Sequence, residues 1–160
     1  MAITLKAGDK APDFAGVDQN GKSIQLSDFS GKKLILYFYP KDDTPGCTKE
    51  ACNFRDNHTY WLNKGFEVVG VSPDSEASHQ KFINKYDLPF SLIADQDKSV
   101  MTAYQTFGEK NMYGKIVMGV LRTTYVIDEG GTIISVIKRP KTAEHTEQIT
   151  KLLEKEGKLN

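Results

Sequence analysis

Thiols are scarce in this chain. Its 160 residues include two cysteines, three histidines and one tryptophan. Two cysteines cannot form the dense disulfide framework of a small secreted fold, so in a reducing compartment they either cycle between redox states or lie inert in the core. No apolar run exceeds Leu34–Tyr39, far short of the about 20 residues that cross a bilayer. Neither sign of charge is in excess, with 21 basic against 21 acidic residues. That removes the electrostatic case for nucleic acid or an acidic membrane as partner. The opening MAITLKAGDKAPDF has neither the apolar stretch nor the cleavage pattern of a secretory signal, so a cytoplasmic protein is expected. Repeats, low-complexity tracts and linkers are also missing, and residues 1–160 are expected to form one domain.

The elements that are present alternate. Lys33–Tyr39 and Glu67–Ser72 are continuous apolar runs, as in central strands covered on both faces. Arg122–Asp128 and Thr132–Lys138 flank Glu129-Gly130-Gly131 and predict a hairpin. Ser91–Ala94 predicts a further strand. Pro12–Ala15 and Ser23–Leu26, either side of Gln19-Asn20-Gly21, predict a small N-terminal hairpin. Helical spacing places Cys47, Ala51, Phe54, His58 and Trp61 on one face of a first helix. Further helices are expected after Ser72-Pro73-Asp74 through Tyr86, over about Lys98–Tyr104 and over about Ala143–Lys155. Phe54, Trp61, Phe82 and Tyr86 read as core packing. His58 falls on the apolar stripe and is expected to be partly buried, whereas His79 and His145 are expected to face solvent. The order β–α–β–α, an insertion, a β-hairpin and a final α implies a mixed sheet with right-handed crossovers. Helices on both of its faces give a thioredoxin-like α/β fold.

Both cysteines lie in PKDDTPGCTKEAC, Pro40–Cys52, around a helix start. Thr44 suits the N-cap and Pro45 the first helical position. Cys47 then falls in the first turn, where unpaired N–H groups and the positive end of the helix dipole favour an anion. The expectation is a reactive thiolate beyond the carboxyl end of a central strand. The competing reading is an inert core thiol.

PKDDTPGC resembles the P-x-x-x-T-x-x-C motif of peroxiredoxins, and the second cysteine in CTKEAC is similar to the bacterioferritin comigratory protein, or peroxiredoxin Q, subfamily. VSPDSEASHQKF, YDLPFSLIAD and YGKIVMGVLRTTYVID extend the resemblance over nearly the whole chain. It implies a thiol peroxidase that reduces hydrogen peroxide and alkyl hydroperoxides at Cys47, leaving a sulfenic acid. It also implies that the Thr44 hydroxyl, the backbone N–H groups of Gly46 and Cys47, and Arg122 hold the peroxide oxygens, while Pro40 shields the sulfur. Electrostatics asks for such a cation. Each unit by which a thiol is acidified requires about 1.4 kcal/mol, and a helix terminus typically supplies only about 0.3–1 kcal/mol. Arg122 resembles the family arginine that fills this role, with Glu50 a candidate to orient it. The resemblance further implies thioredoxin as reductant, a monomer or weak dimer, and no cofactor.

Cys52 is the natural resolving thiol, forming an intramolecular disulfide with Cys47. Five residues along a helix separate Cα atoms by ~8.7 Å, whereas a disulfide tolerates about 4.4–6.8 Å. The segment of about Thr44–Phe54 must therefore unwind on oxidation. A purely structural Cys52 is the alternative, in which case a partner thiol resolves the sulfenic acid. A metal site is not expected, because Cys47, Cys52, His58, His79 and His145 are scattered over three helices. Two other functions share the reactive cysteine. A thiol–disulfide oxidoreductase would normally carry C-x-x-C, and this chain has C-x-x-x-x-C; a redox sensor or holdase would bind a partner through the unwound helix.

Overall fold

The computed structural model describes residues 3–158. The chain begins with the expected hairpin, β1 (Ala15–Val17) against β2 (Ser23–Gln25). Asp18 Oδ1 accepts the N–H groups of Asn20 and Lys22 across its turn, and Gly21 takes the positive φ. Next come β3 (Lys33–Phe38), α1 (Pro45–Asp56), α2 (His58–Asn63), β4 (Phe66–Ser72), α3 (Glu76–Tyr86), β5 (Ser91–Ala94) and α4 (Ser99–Ala103). A second hairpin follows, β6 (Phe107–Met112) with β7 (Lys115–Val120), then β8 (Thr123–Ile127), β9 (Ile133–Ile137) and α5 (His145–Lys155).

Five strands form the central sheet in the order β5-β4-β3-β8-β9. β3 pairs in parallel with β4 and β4 with β5, while β8 runs antiparallel to both β3 and β9. This mixed sheet with helices on its faces is the expected thioredoxin-like arrangement. The alternation of β3 sorts the core into two layers. Ile35, Tyr37 and Tyr39 meet Ala51 and Phe54 of α1, Trp61 of α2, Phe82 of α3 and Ile149 and Leu153 of α5. Leu34, Leu36 and Phe38 meet Phe14, Ile24 and the α4 side chains Val100 and Met101. The N-terminal hairpin thus covers much of the second face. Gly70 of β4 is required by a close approach: a Cβ there would lie 2.7 Å from Leu92 and 2.9 Å from the Tyr37 ring. Among the described residues no helix is long and apolar enough to cross a membrane.

Three elements depart from expectation. The single helix from Pro45 through Trp61 is broken at Asn57, whose side-chain amide donates to the Asn53 carbonyl at 2.8 Å and competes with the helical ladder. The insertion before β8 is the β6–β7 hairpin, with Tyr113 and Gly114 both at positive φ. That turn type favours Asn-Gly, and a bulky Tyr at its first position hides it in the sequence. Both faces of this hairpin are wet, with Tyr113, Ile116 and Met118 largely exposed, so no polar–apolar alternation marked it either. Finally, His79 and His145 are not at the surface. Both are 0% exposed, each held by polar partners that a one-dimensional pattern does not reveal. His58 is half-buried near Phe90, as expected.

Candidate active site

β3 delivers the chain to Pro40 at the carboxyl end of the sheet, and α1 begins five residues later. Several bonds hold the intervening loop rigid. Asp42 accepts the Tyr39 hydroxyl at 2.6 Å and the Ser78 hydroxyl at 2.8 Å, and contacts His79 Nδ1 at 2.7 Å. His79 Nε2 faces the Ile93 carbonyl at 2.9 Å, and a carbonyl only accepts, so that nitrogen carries hydrogen. Asp43, at φ 56°, is gripped by Lys85 Nζ and the Tyr86 hydroxyl, each at 2.8 Å. The loop is therefore clamped to α3 at two successive residues. Asp42, Asp74 and His79 form the one group of potential metal ligands among the described residues. Their ligand atoms are taken up by one another, by Ser72 and by Ser78.

Thr44 occupies the N-cap position but does not cap with its side chain. Its hydroxyl donates instead to the Lys41 carbonyl at 2.9 Å, because the turn that leads into the helix presents that acceptor first. The hydroxyl hydrogen is committed, so the oxygen is left as an acceptor, and the first-turn N–H groups of Gly46 and Cys47 have no intrahelical partner. Cys47 is 1% exposed, while Pro40, Thr44, Gly46 and Arg122 are half-buried around it. Arg122, immediately before β8, donates from Nη2 to Cys47 Sγ at 3.1 Å and from Nη1 to Glu50 Oε1 at 2.9 Å. A Cβ on Gly46 would come within 3.5 Å of this guanidinium. Cys52 lies one turn beyond, half-buried and free, with its thiol pushed up by burial.

Beneath this pair lies a set of groups that the sequence reading did not assemble. Glu50 is 0% exposed, and burial pushes its carboxyl up to about 7 against the pull of Arg122. His145 opens α5 on the far side. Gln148 Oε1 accepts the Lys141 N–H, which identifies that atom as oxygen, so His145 Nδ1 at 2.9 Å must donate to it. His145 Nε2 then accepts the Thr124 hydroxyl at 2.7 Å. Burial drives this imidazole down to about 4, leaving it neutral. Arg122 stays charged: burial opposes this, but Glu50 and Cys47 outweigh it. The sequence offers Glu50 as a candidate to orient Arg122, and the two are in contact at 2.9 Å, but nothing in the spacing of His145 marks it.

The two buried groups make opposing pH contributions to stability. Glu50 moves up from 4.5 to about 7 on folding, so its contribution is complete below 4.5 and declines as pH rises to 7. His145 moves down from 6.5 to about 4, so its contribution is complete above 6.5 and is lost as pH falls toward 4. Each amounts to roughly 3 kcal/mol at about 1.4 kcal/mol per pH unit, and the two offset each other across the shared window. Relative to the parent chain, Glu50→Gln should gain stability as pH rises from 4.5 to 6.5, and His145→Asn should lose it. Denaturant midpoints at the two ends of that window provide the test; midpoint differences that do not change with pH contradict it.

A sulfur at a helix start, a guanidinium 3.1 Å away and a hydroxyl left as acceptor form a site for a small polarisable oxygen compound. The sequence pattern of the AhpC/TSA family matches residues 7–136. The chain belongs to this family and is a peroxiredoxin. A Coxiella burnetii protein described as a Bcp peroxiredoxin is 46% identical over 147 residues, spanning 92% of this chain and 97% of that one. Peroxiredoxin Bcp of Bacillus subtilis is 40% identical over 151 residues, spanning 94% and 96%. Among solved structures, Xanthomonas campestris peroxiredoxin Q aligns with a TM-score of 0.84 at 33% identity, covering 96% of this chain and 97% of its own. This peroxiredoxin is therefore a peroxidase, an oxidoreductase of the Bcp and peroxiredoxin Q type.

Proposed function

We propose that the chain, acting as one domain over residues 1–160, reduces hydrogen peroxide and alkyl hydroperoxides through Cys47, with Cys52 as the resolving thiol and thioredoxin as reductant. The observation that carries this reading is the 3.1 Å contact between Arg122 Nη2 and Cys47 Sγ, which favours sulfur as an anion. A low basicity alone would also blunt the nucleophile, so speed must come from groups that stabilise charge on the oxygens as the O–O bond breaks. We assign that task to Thr44, the N–H groups of Gly46 and Cys47, and Arg122. With Cys47 almost wholly covered, peroxide reaches the sulfur along these half-buried neighbours and Pro40, and bulk water is kept back.

Resolution demands movement. Both cysteines lie on the wound helix α1, on different faces: Cys47 is buried and Cys52 is half-buried. The helix is also latched to α5. Asn53 Oδ1 accepts the Thr146 N–H at 2.7 Å and its amide donates to the Ala143 carbonyl at 3.2 Å. Closing the disulfide requires α1 to unwind and this latch to part. Trp61 reports the event, since its indole N–H donates to Thr146 Oγ1 at 3.1 Å. The reduced helix then re-forms after thioredoxin attacks the exposed disulfide. We assign the protein to a reducing, cytoplasmic setting as a monomer or weak dimer.

One equivalent of peroxide, followed by stopped-flow Trp61 fluorescence and mass spectrometry, tests the proposal. The chain should react within seconds and lose two hydrogen atoms, and amide exchange over residues 44–54 should quicken. Cys52→Ser should react once, gain an oxygen, and fail to turn over with thioredoxin and its reductase. Full turnover in that variant moves resolution to another thiol, and equally slow exchange in both redox states rejects the unwinding step. A sensor would show the first reaction without sustained turnover.

A further inference from the structure

Arg122 serves two acidic groups with one positive charge. Cys47 Sγ and Glu50 Oε1 lie 3.1 and 2.9 Å from its two terminal nitrogens, and both residues are buried. If both were ionised, the cluster would hold an uncompensated buried anion, which burial strongly disfavours. The neighbours offer no relief. Tyr37 on β3 is fully buried, and its hydroxyl is held well above its ordinary range by burial and then by Glu50 and Cys47. Asp42, in the loop, is already paired with His79. His145 on α5 is neutral, with both ring nitrogens engaged. The other Glu50 oxygen, Oε2, has no hydrogen-bond partner and sits 3.7 Å from His145 Nε2. That nitrogen's lone pair is taken by the Thr124 hydroxyl, so no donor reaches Oε2, the situation of a buried carboxyl oxygen that carries hydrogen and not negative charge.

We propose that Glu50 holds a proton while Cys47 is a thiolate and releases it when the thiolate is consumed, so that the leaving oxygen is neutralised from within the site. This rests on the reading of Cys47 as the sulfur that attacks peroxide. The step is Cys47–S⁻ + ROOH + Glu50–COOH → Cys47–SOH + ROH + Glu50–COO⁻. The S–O bond forms as the O–O bond breaks, sulfur losing two electrons and the peroxide gaining them. The hydrogen on the attacked oxygen stays with the sulfenic acid, and the departing RO⁻ takes the Glu50 proton. Arg122 then neutralises the glutamate in place of the sulfur, so the charge of the buried cluster is the same before and after. Glu50 is the proton donor in this step; it is not a nucleophile. Burial, opposed by Arg122, places its ionisation at about 7, and a thiolate sharing the same guanidinium weakens that opposition.

The experiment uses the Cys52→Ser chain, which stops at the sulfenic acid with α1 wound. Infrared difference spectra are recorded at pH 6 after one equivalent of hydrogen peroxide, with mass spectrometry on the same samples. The expected result is loss of one protonated-carboxyl band and gain of carboxylate for each oxygen added to Cys47. Glu50→Gln in the same background should lack this change, and an indicator dye should show it drawing one proton per event from solution. Selective ¹³C labelling of glutamate assigns the band without any variant, so misfolding of Glu50→Gln does not remove the test. An oxygen adduct formed with an unchanged carboxyl region means the sulfur keeps the charge as sulfenate, and overturns this inference alone. Failure of Cys47 to gain oxygen overturns the reading of Cys47, and this inference with it.

Discussion

Cys47→Ser is expected to reduce peroxide consumption to the uncatalysed background, whatever reductant is supplied. Serine matches cysteine in shape closely enough to preserve the buried packing of α1 against Tyr37 and Tyr39 in the same core layer. Its hydroxyl, however, does not ionise at neutral pH, even beside Arg122. Sulfur's advantage lies in being both ionisable and polarisable. The second thiol does not substitute. Cys52 is held toward its neutral form by burial and has no contact with Arg122 comparable to the 3.1 Å one at Cys47. Peroxide consumption is followed directly in the presence of thioredoxin and its reductase. A residual rate above a few per cent of the parent chain would place the reacting sulfur elsewhere.

Arg122→Met carries the second large effect, and it divides into two parts. The first is on rate: removing one preorganised donor to a developing oxyanion typically costs about 10²–10³-fold, and here the thiolate loses its counter-charge as well. The second is on stability, because Glu50 is left buried with no cation and must stay neutral, which costs more the further pH rises above the ordinary carboxyl range. The double variant Arg122→Met/Glu50→Gln separates the two at pH 8, since it removes the buried acid without restoring the donor. Its unfolding midpoint should recover toward that of the parent while its rate with peroxide stays depressed. Arg122→Lys should also be slow, by about 10²-fold. A single ammonium lacks the fork that reaches Cys47 and Glu50 together at 3.1 and 2.9 Å. Stopped-flow rates and denaturation curves on the three variants settle this, and a double variant that regains the parent rate would show that Arg122 acts only by keeping Glu50 company.

The strands and helices of the central sheet were readable because their patterns are local. KLILYFY has no polar interruption and is buried on both faces in β3, and Ser91–Ala94 falls where its apolar run predicted. The stripe Cys47, Ala51, Phe54 and Trp61 is buried as its spacing required, although Asn57 breaks the helix that carries it. The hairpin Phe107–Val120 escaped because its turn uses Tyr113-Gly114 and neither of its faces is dry. Thr44 was placed correctly and its hydrogen bond was not, since the competing Lys41 carbonyl is set by a turn that spacing does not describe.

What the order of residues determined by itself was the reactive end of the site. A proline, a threonine and a cysteine at the start of one helix are near neighbours in the chain, so helix geometry alone brings their hydroxyl, N–H groups and sulfur together. The charge balance was decided only by folding. Arg122 comes to Cys47 from 75 residues away, and His145 reaches Thr124 from another helix to close the floor beneath Glu50. Burial there, which no local pattern encodes, turns an ordinary carboxyl, imidazole and guanidinium into a coupled set with one positive charge to share.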